Sequence, residues 1–363
     1  MPKISRLIKM QCLSELKISD MFDINKIVRE NVKRHKAYSS ARDDFKGKKG
    51  IFLDANESPF GNLNRYPDPY QVQLKSIISN IKGVSEDSIF LGNGSDEIID
   101  LAFRIFCNPG KDKVLVFPPT YGMYEVTASV NDILPVKVPL DSDFQINMQE
   151  VKPLLKDKAL KLIFICSPNN PTGNSMNNRD VEYLINNFHG VVLIDEAYSD
   201  FSDKPSFIDR TASFPNLIVL QTFSKAMGLA AARIGMAFSD PSVIKYFNRI
   251  KPPYNISTIN QKAALGKLIN NGIMHKHVRL IKAERERLAY ELKKIPVIQK
   301  IFPSDANFLL VKVPDADGIY QYLISKGVIV RNRSSAVNNC VRITIGTKSE
   351  NDQLLDALKS NVL

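Results

Sequence analysis

The sequence predicts an α/β protein in two parts: a large domain on a mainly parallel sheet with helices on both faces, then a smaller α+β domain. Three observations carry this. The chain has 363 residues, 44% hydrophobic and 24% charged, enough to bury a large core and divide into two domains. From about residue 70 to 250, continuous apolar runs rich in β-branched residues alternate with helix-like segments, the pattern of strands buried on both faces. After residue 265 a long segment of helical periodicity opens a second unit.

Residues 1–45 are expected to form an N-terminal arm, with residues 1–20 a dispensable extension and the fold beginning at Phe22. Ile24 to Asn31 has amphipathic helical spacing and is followed by a polar basic stretch, HKAYSSAR. The first residues contain neither a signal-peptide apolar core nor a small-residue cleavage site, and no stretch approaches the roughly 18 apolar residues of a membrane span. A cytoplasmic protein without a membrane partner is expected.

The large domain is expected over residues 46–265. Its strands are KVLVF (113–117), LIFIC (162–166), VVLID (191–195), LIVLQT (217–222) and GMAFS (235–239). In such open sheets, ligands gather beyond the carboxyl ends of the strands. The small domain, residues 266–363, begins with a helix from His275 to Ile295 that places Val278, Ile281, Leu288 and Leu292 near one face. VNNCVRITIGT (337–347) is one of its strands.

Composition excludes several function classes. The net charge of +11 comes from scattered lysines and arginines, without an RNP, zinc-finger or basic-zipper pattern, so no nucleic-acid partner is expected. A solvated basic surface, with a few arginines reserved for anionic small molecules, accounts for it. Cys12, Cys107, Cys166 and Cys340 are far apart and form no CxxC pair, and His275 and His277 are spaced to point apart on a helix. No metal site or disulfide framework is expected.

Four segments at strand ends or helix starts carry the chemistry. TFSKAMGLAAARIG (222–235) puts Lys225 just past a strand, followed by small residues and Arg233, with hydroxyls at Thr222 and Ser224. A buried lysine amine forms a Schiff base with an aldehyde, and small residues with a forked arginine suit a phosphate. VVLIDEAYSDF places Asp195 at the end of an apolar strand, where a carboxylate is costly without a cation such as a protonated pyridine nitrogen. The bland alternative for Asp195 is a cap on the next turn. Tyr198 is placed to donate to a phenolic oxygen. ICSPNNPTG (165–173) is a turn-forming segment whose Asn170 is assigned to that same oxygen. LGNGSDEIIDLAF leads into a helix with Ile98, Ile99, Ala102 and Phe103 on one face, and Gly94, Ser95 and Asp96 mark its phosphate-binding start. It is not the GxGxxG pattern, so nicotinamide is not supported. Tyr121 in PPTYGMYEV could stack on a flat cofactor, although core packing is the commoner role for a lone tyrosine. Together these segments suit a phosphorylated pyridine aldehyde.

NRYPD, GNGSDE, PPTYGMY, SPNNPTG, DEAY, FSKAMGLAAARIG and VRITIGT, in this order over nearly the whole chain from Phe22, resemble the fold-type I aminotransferases. The nearest resemblance is to the histidinol-phosphate aminotransferases of histidine biosynthesis. It implies a mostly parallel seven-stranded sheet sandwiched by helices, and pyridoxal 5'-phosphate as cofactor. It implies that Lys225 holds the cofactor and moves the α-proton, Asp195 pairs with the pyridine nitrogen, and Asn170 and Tyr198 hold the phenolic oxygen. Tyr121 would stack on the ring, with Ser95, Asp96, Thr222, Ser224 and Arg233 around the phosphate. Tyr66 would reach the phosphate of a neighbouring subunit's cofactor, which implies a homodimer. Arg342 and Arg331 would bind substrate anions, Tyr38 the substrate phosphate, and Asn56 and Glu57 would line the site's mouth. The implied reaction is ping-pong transamination between L-histidinol phosphate and 2-oxoglutarate, giving imidazole acetol phosphate and L-glutamate. One departure is Ala231, where relatives commonly carry glycine. A threonine-phosphate decarboxylase, an aromatic or broad-specificity aminotransferase, and a catalytically silent binding protein on the same fold are the alternatives.

Overall fold

The five apolar runs between residues 113 and 239 become the middle of one sheet. The computed structural model describes residues 22–36 and 50–360, so Cys12 and the Tyr38 expected at the substrate lie outside the described residues. The strands are β1 (Ile89–Gly92), β2 (Lys113–Val116), β3 (Leu134–Lys137), β4 (Leu160–Cys166), β5 (Val191–Asp195), β6 (Leu217–Thr222) and β7 (Gly235–Phe238), in the order β1-β7-β6-β5-β4-β2-β3. Every residue of β5, β6 and β7 is buried. Alternate side chains enter two separate cores: Ile163 and Ile165 pack on one face with Leu74, Leu184 and Ile185, while Leu162 and Phe164 pack on the other with Ile98, Phe103 and Phe247. Strands covered on both faces need apolar residues at every position, hence continuous runs rather than alternation.

Two strands lacked such a signal. β3 is an edge strand with Pro135 inside it and no buried residue, which fits the confinement of proline to sheet edges. β1 is four buried residues directly before the glycine loop. β7 pairs antiparallel with both β6 and β1, whereas β2 to β6 run parallel in their pairs. The reason is the connection: residues 223–234 hold one short 3-10 turn, Ala230–Ala232, and no crossover helix, so the chain returns beside β6 in the opposite sense.

The expected N-terminal helix is broken in two, Ile24–Ile27 and Glu30–Arg34, because Val28 and Arg29 have extended backbone. Ile24, Val28 and Val32 all pack on the second core, as one helical face would, and the break lets Arg29 bind the helix end at Arg104 O and Ile105 O. Among the described residues no helix is long and apolar enough to cross a membrane.

A second, antiparallel sheet has the order β10-β11-β9-β8, with β8 Lys300–Ile301, β9 Phe308–Lys312, β10 Arg331–Asn332 and β11 Cys340–Thr344. It has its own core with Leu288, Leu292, Ile319, Leu323 and Leu355. The long helix runs from Asn271 to Leu292 and ends before Ile295. Met274 and Val278 pack on the large sheet's core, Leu288 and Leu292 on the small one, and Ile281 touches both. One rod therefore holds the two sheets in register. A second tie is the turn after β4: Asp305 N–H donates to Gly173 O at 2.7 Å, and Ser175 Oγ donates to Asp305 Oδ2 at 2.6 Å.

The large sheet also fixes the start of the helix Ser95–Phe106. A Cβ on Gly235 in β7 would stand 2.4 Å from Ser95 N and 2.5 Å from Gly94 C, both backbone atoms. Gly235→Ala is expected to destabilise the fold by about 1–3 kcal/mol through overpacking. Urea denaturation checks this; a midpoint equal to wild type would mean the strand and helix start are not in contact.

Candidate active site

Each chemical residue is delivered by a strand end or the turn after it. β4 ends at Cys166 beside Asp195, the last residue of β5, and β6 ends at Thr222, three residues before Lys225. The helix Ser95–Phe106 begins just after β1, with Gly94 as its first cap at φ 80°, a value that glycine alone adopts readily. A cavity of about 560 Å³ opens where these ends converge. Ser95, Asp96, Tyr121, Asn170, Asp195, Tyr198, Thr222, Ser224, Lys225, Arg233, Arg331 and Arg342 all line it. Gly94 lies directly beneath the guanidinium of Arg233: a Cβ there would meet Arg233 Nη2 at 2.5 Å.

Asp195 is 4% exposed. Tyr124 Oη donates to its Oδ2 at 2.8 Å, and Ala197 N–H donates to its Oδ1 at 3.1 Å, so the carboxylate also performs the local capping role. Among the described residues no cation forms an ion pair with it. Burial raises its pKa, opposed by the Tyr124 and Ala197 hydrogen bonds, and nearby Asp96 adds to the rise. The next residue, Glu196, is equally buried but fully engaged by Ser206 Oγ, Phe207 N–H and Gln221 Nε2. The difference matters: Glu196 is satisfied by the protein, while Asp195 faces a cavity and calls for a cation.

Lys225 opens on the same cavity, with Nζ 5.5 Å from the centre of the Tyr198 ring. Desolvation by the cavity walls and then the Arg342 charge lower its pKa, Arg233 adds to this, and Asp195 opposes it. Although the residue is exposed at the cavity mouth, this direction of shift favours the neutral, nucleophilic amine. Burial keeps the hydroxyl of Tyr198 protonated well beyond its usual range, leaving it a donor.

At the helix start, Asp96 accepts from Tyr121 Oη at 3.0 Å and pairs with Arg233 Nη2 at 3.3 Å. Its carboxylate thus orients the tyrosine and the arginine, leaving the backbone N–H groups and the Ser95 hydroxyl of this terminus to an anion. Arg233 sits at φ 48° and also reaches Ser224 Oγ at 3.4 Å. Thr222 Oγ1 donates to Ile234 O at 3.3 Å and accepts from Ser224 N–H at 3.1 Å, which shapes the loop. Ala231 lies in the 3-10 turn before Arg233 and is exposed, so its methyl group crowds nothing buried.

At the opposite wall Arg342 Nη1 donates to Asn170 Oδ1 at 2.5 Å. That leaves Asn170 Nδ2 as the donor toward the cavity. Two further residues escaped the sequence analysis: Tyr124, buried behind the cavity against Asp195, and Arg333, which lines it. Tyr124 is three residues after Tyr121, one helical turn on, and its contact with Asp195 has no sequence signal. Arg333 is two residues after Arg331, and strand periodicity would have placed both on one face.

Tyr66 and Asn56 do not reach this cavity within one chain. They line a separate one of about 390 Å³ with Glu57 and Arg65, and Tyr66 stacks on Tyr254 with ring centres 4.4 Å apart. Glu57 holds that segment by accepting from Tyr66 N–H at 2.6 Å and Arg65 Nη1 at 2.7 Å.

A carboxyl with a raised folded pKa holds its proton more tightly folded than unfolded. Its contribution to stability is therefore fullest at acid pH and declines as pH rises from 3.8 through the raised value. In protein stripped of small molecules, Asp195→Asn should lose less stability than wild type between pH 4 and pH 8. Urea titrations at both pH values test this, and equal losses would show that Asp195 is not strained by burial.

A family model, aminotransferase class I and II, matches residues 44–358. The chain is 49% identical to a histidinol-phosphate aminotransferase of Cytophaga hutchinsonii over 346 residues, covering 93% of this chain and 99% of that one. It is 50% identical to the histidinol-phosphate aminotransferase of Parabacteroides distasonis over 343 residues, 94% of this chain and 99% of that one. Among solved structures, the histidinol-phosphate aminotransferase of Sinorhizobium meliloti in complex with pyridoxal-5'-phosphate superposes with a TM-score of 0.76 at 25% identity, covering 84% of this chain and 88% of that one. Fold, cavity and sequence agree, and the chain belongs to the class I and II aminotransferases, within the histidinol-phosphate aminotransferase family.

Proposed function

We propose that the protein is a pyridoxal 5'-phosphate-dependent aminotransferase that moves the amino group of L-histidinol phosphate to 2-oxoglutarate. The observation that carries this is the convergence, in one cavity, of a lysine with a lowered pKa, a buried carboxylate lacking a cation, a helix start and several arginines. The cofactor fits the donors present: its pyridine nitrogen supplies the cation that Asp195 lacks, and its phosphate suits the amides at Ser95 and the guanidinium of Arg233. When bound, pyridoxal 5'-phosphate supplies the aldehyde that takes up the amino group and the ring that accepts the electrons of the cleaved α C–H bond.

The chain's own residues do the rest. Lys225 would hold the cofactor's aldehyde through Nζ, and its freed amine would be the base that takes and gives back the substrate's α-proton. Its lowered pKa favours the neutral amine both steps need. Asp195, oriented by Tyr124, would hold a protonated pyridine nitrogen. Tyr198 and Asn170 Nδ2 would donate to the phenolic oxygen, and Tyr121 would lie against the ring. Ser95, Thr222, Ser224 and Arg233 would hold the cofactor phosphate, with Asp96 orienting Arg233. Arg342 takes the α-carboxylate of glutamate, and Arg331 takes the distal anion of either substrate.

We also infer a homodimer that shares its sites. Ile51, Leu53 and Phe60 are 91%, 88% and 83% exposed in a segment without regular structure, an apolar surface suited to burial against a second copy. Tyr66 and Asn56 belong to that segment, which supports a role for them in the partner's site.

Lys225→Ala should abolish transamination by at least about a thousandfold and remove the visible absorbance of the bound cofactor. Assays with histidinol phosphate plus 2-oxoglutarate, against threonine phosphate alone, test the substrate. Carbon dioxide release without a keto acid would overturn the aminotransferase assignment. For the shared site, equal mixing of inactive Lys225→Ala and Tyr66→Ala chains should restore activity to about a quarter of wild type, because half of the dimers are mixed and each holds one intact site. No recovery after verified exchange would refute the shared site.

A further inference from the structure

Arg333 lines the active-site cavity together with Arg331 and Arg342. β10 and β11 are antiparallel, and their register sets Arg331 directly opposite Arg342. The ladder continues one step further, where Arg333 N–H donates to Cys340 O at 2.8 Å. Residues two apart on a strand share a face, so Arg331 and Arg333 stand on the same face as Arg342, one opposite it and one diagonal to it.

Like charges facing across a ladder destabilise it. No anion in the described residues offsets them: no carboxylate pairs with any of the three, and Arg342 lies over the Phe308 ring, 5.2 Å from its centre, and donates to the neutral amide oxygen of Asn170. The Nε atoms of Arg333 and Arg342 are buried without an acceptor. A buried donor left unmade is costly, and the guanidinium stays charged at any physiological pH. Desolvation and then the Arg342 and Arg331 charges push Arg333 below the usual arginine range. The two carboxylates that line the cavity are engaged elsewhere, Asp96 with Arg233 and Asp195 with Tyr124. A ligand anion is what completes this wall.

The two amino donors differ in what they bring to it. Glutamate has two carboxylates, each with a single negative charge. Histidinol phosphate has no carboxylate and one phosphate ester carrying about −1.5 to −2 charges at neutral pH, with three acceptor oxygens. Arg342 is committed to the Asn170 wall and Arg331 is exposed at the lip. Two arginines suffice for a carboxylate at each end; a dianion with three oxygens can use one fork more.

Resting on the transamination reading above, we propose that Arg333 is the specificity-determining residue for the phosphate ester: it joins Arg331 in binding the substrate dianion and contributes little to glutamate. The test uses loaded Arg333→Gln and Arg333→Lys enzymes. For Arg333→Gln, KM for histidinol phosphate should rise at least about tenfold with kcat nearly unchanged, while KM for glutamate should change less than about threefold. Arg333→Lys, which keeps the charge but loses the fork, should recover part of the loss, and it serves alone if the glutamine variant does not fold. An equal rise for both donors, or no rise for either, overturns the proposal. Inorganic phosphate, as a competitive inhibitor of the glutamate half-reaction, gives an independent readout: inhibition should weaken at least about tenfold in Arg333→Gln. If wild type proves unable to use histidinol phosphate, the proposed reaction has failed, and phosphate inhibition still decides the role of Arg333. Inhibition lost in the variant upholds that role, and inhibition retained refutes it.

Discussion

The carboxylate of Asp195 is the constraint around which the rest of the structure is organised. It ends a strand whose every residue is buried, so its charge sits where water cannot compensate it. The protein supplies two hydrogen-bond donors, from Tyr124 and Ala197, and among the described residues no cation forms an ion pair with it. Glu196, its neighbour in sequence, shows what a self-sufficient buried carboxyl looks like in the same fold, with three donors from two elements. Asp195 is left short on the side that faces the cavity, which is the condition for holding a cationic ring nitrogen.

Around that point the site divides by charge. One wall, at the start of the helix Ser95–Phe106, has Arg233 steered by Asp96 and backbone amides open to a phosphate. The opposite wall, from the second sheet, carries the arginines and the Asn170 contact. Lys225 stands between them, and the positive wall is part of what lowers its pKa. The substrate-binding arginines thus serve twice, attracting anions and keeping the lysine amine available as a base. That double service depends on the small sheet holding its place. The helix Asn271–Leu292 spans both cores, and Asp305 and Arg342 both bind the turn after β4.

The central strands and the helix after Gly94 were legible from residue pattern, because burial on both faces or on one face leaves a direct imprint on composition. The roles of Lys225 and Asp195 were legible too, since a lysine after a strand among small residues and a carboxylate ending an apolar strand are chemically odd without a ligand. Less legible were β3, whose edge position removes any need for apolar residues, and the break at Val28, where long-range bonds from Arg29 to Arg104 and Ile105 accompany an interruption that the helical spacing of Ile24, Val28 and Val32 does not signal. The reversed direction of β7 depended on the absence of a crossover helix in a stretch chosen for its chemistry.

The sequence by itself determined the α/β class, the strands of the large sheet's centre and the residue types gathered at their ends, because each is imposed by local pattern or by the cost of a buried charge. Only the tertiary structure decided which residues meet. Tyr124 under Asp195, Asn170 bound to Arg342, and Arg333 beside Arg331 opposite Arg342 are contacts between segments up to 172 residues apart, or cross-strand registers. Tyr66 and Asn56 stand in a separate cavity of the same chain for the same reason. Long-range pairing and register are set by how the two sheets pack against one another, and no local run of residues encodes that distance.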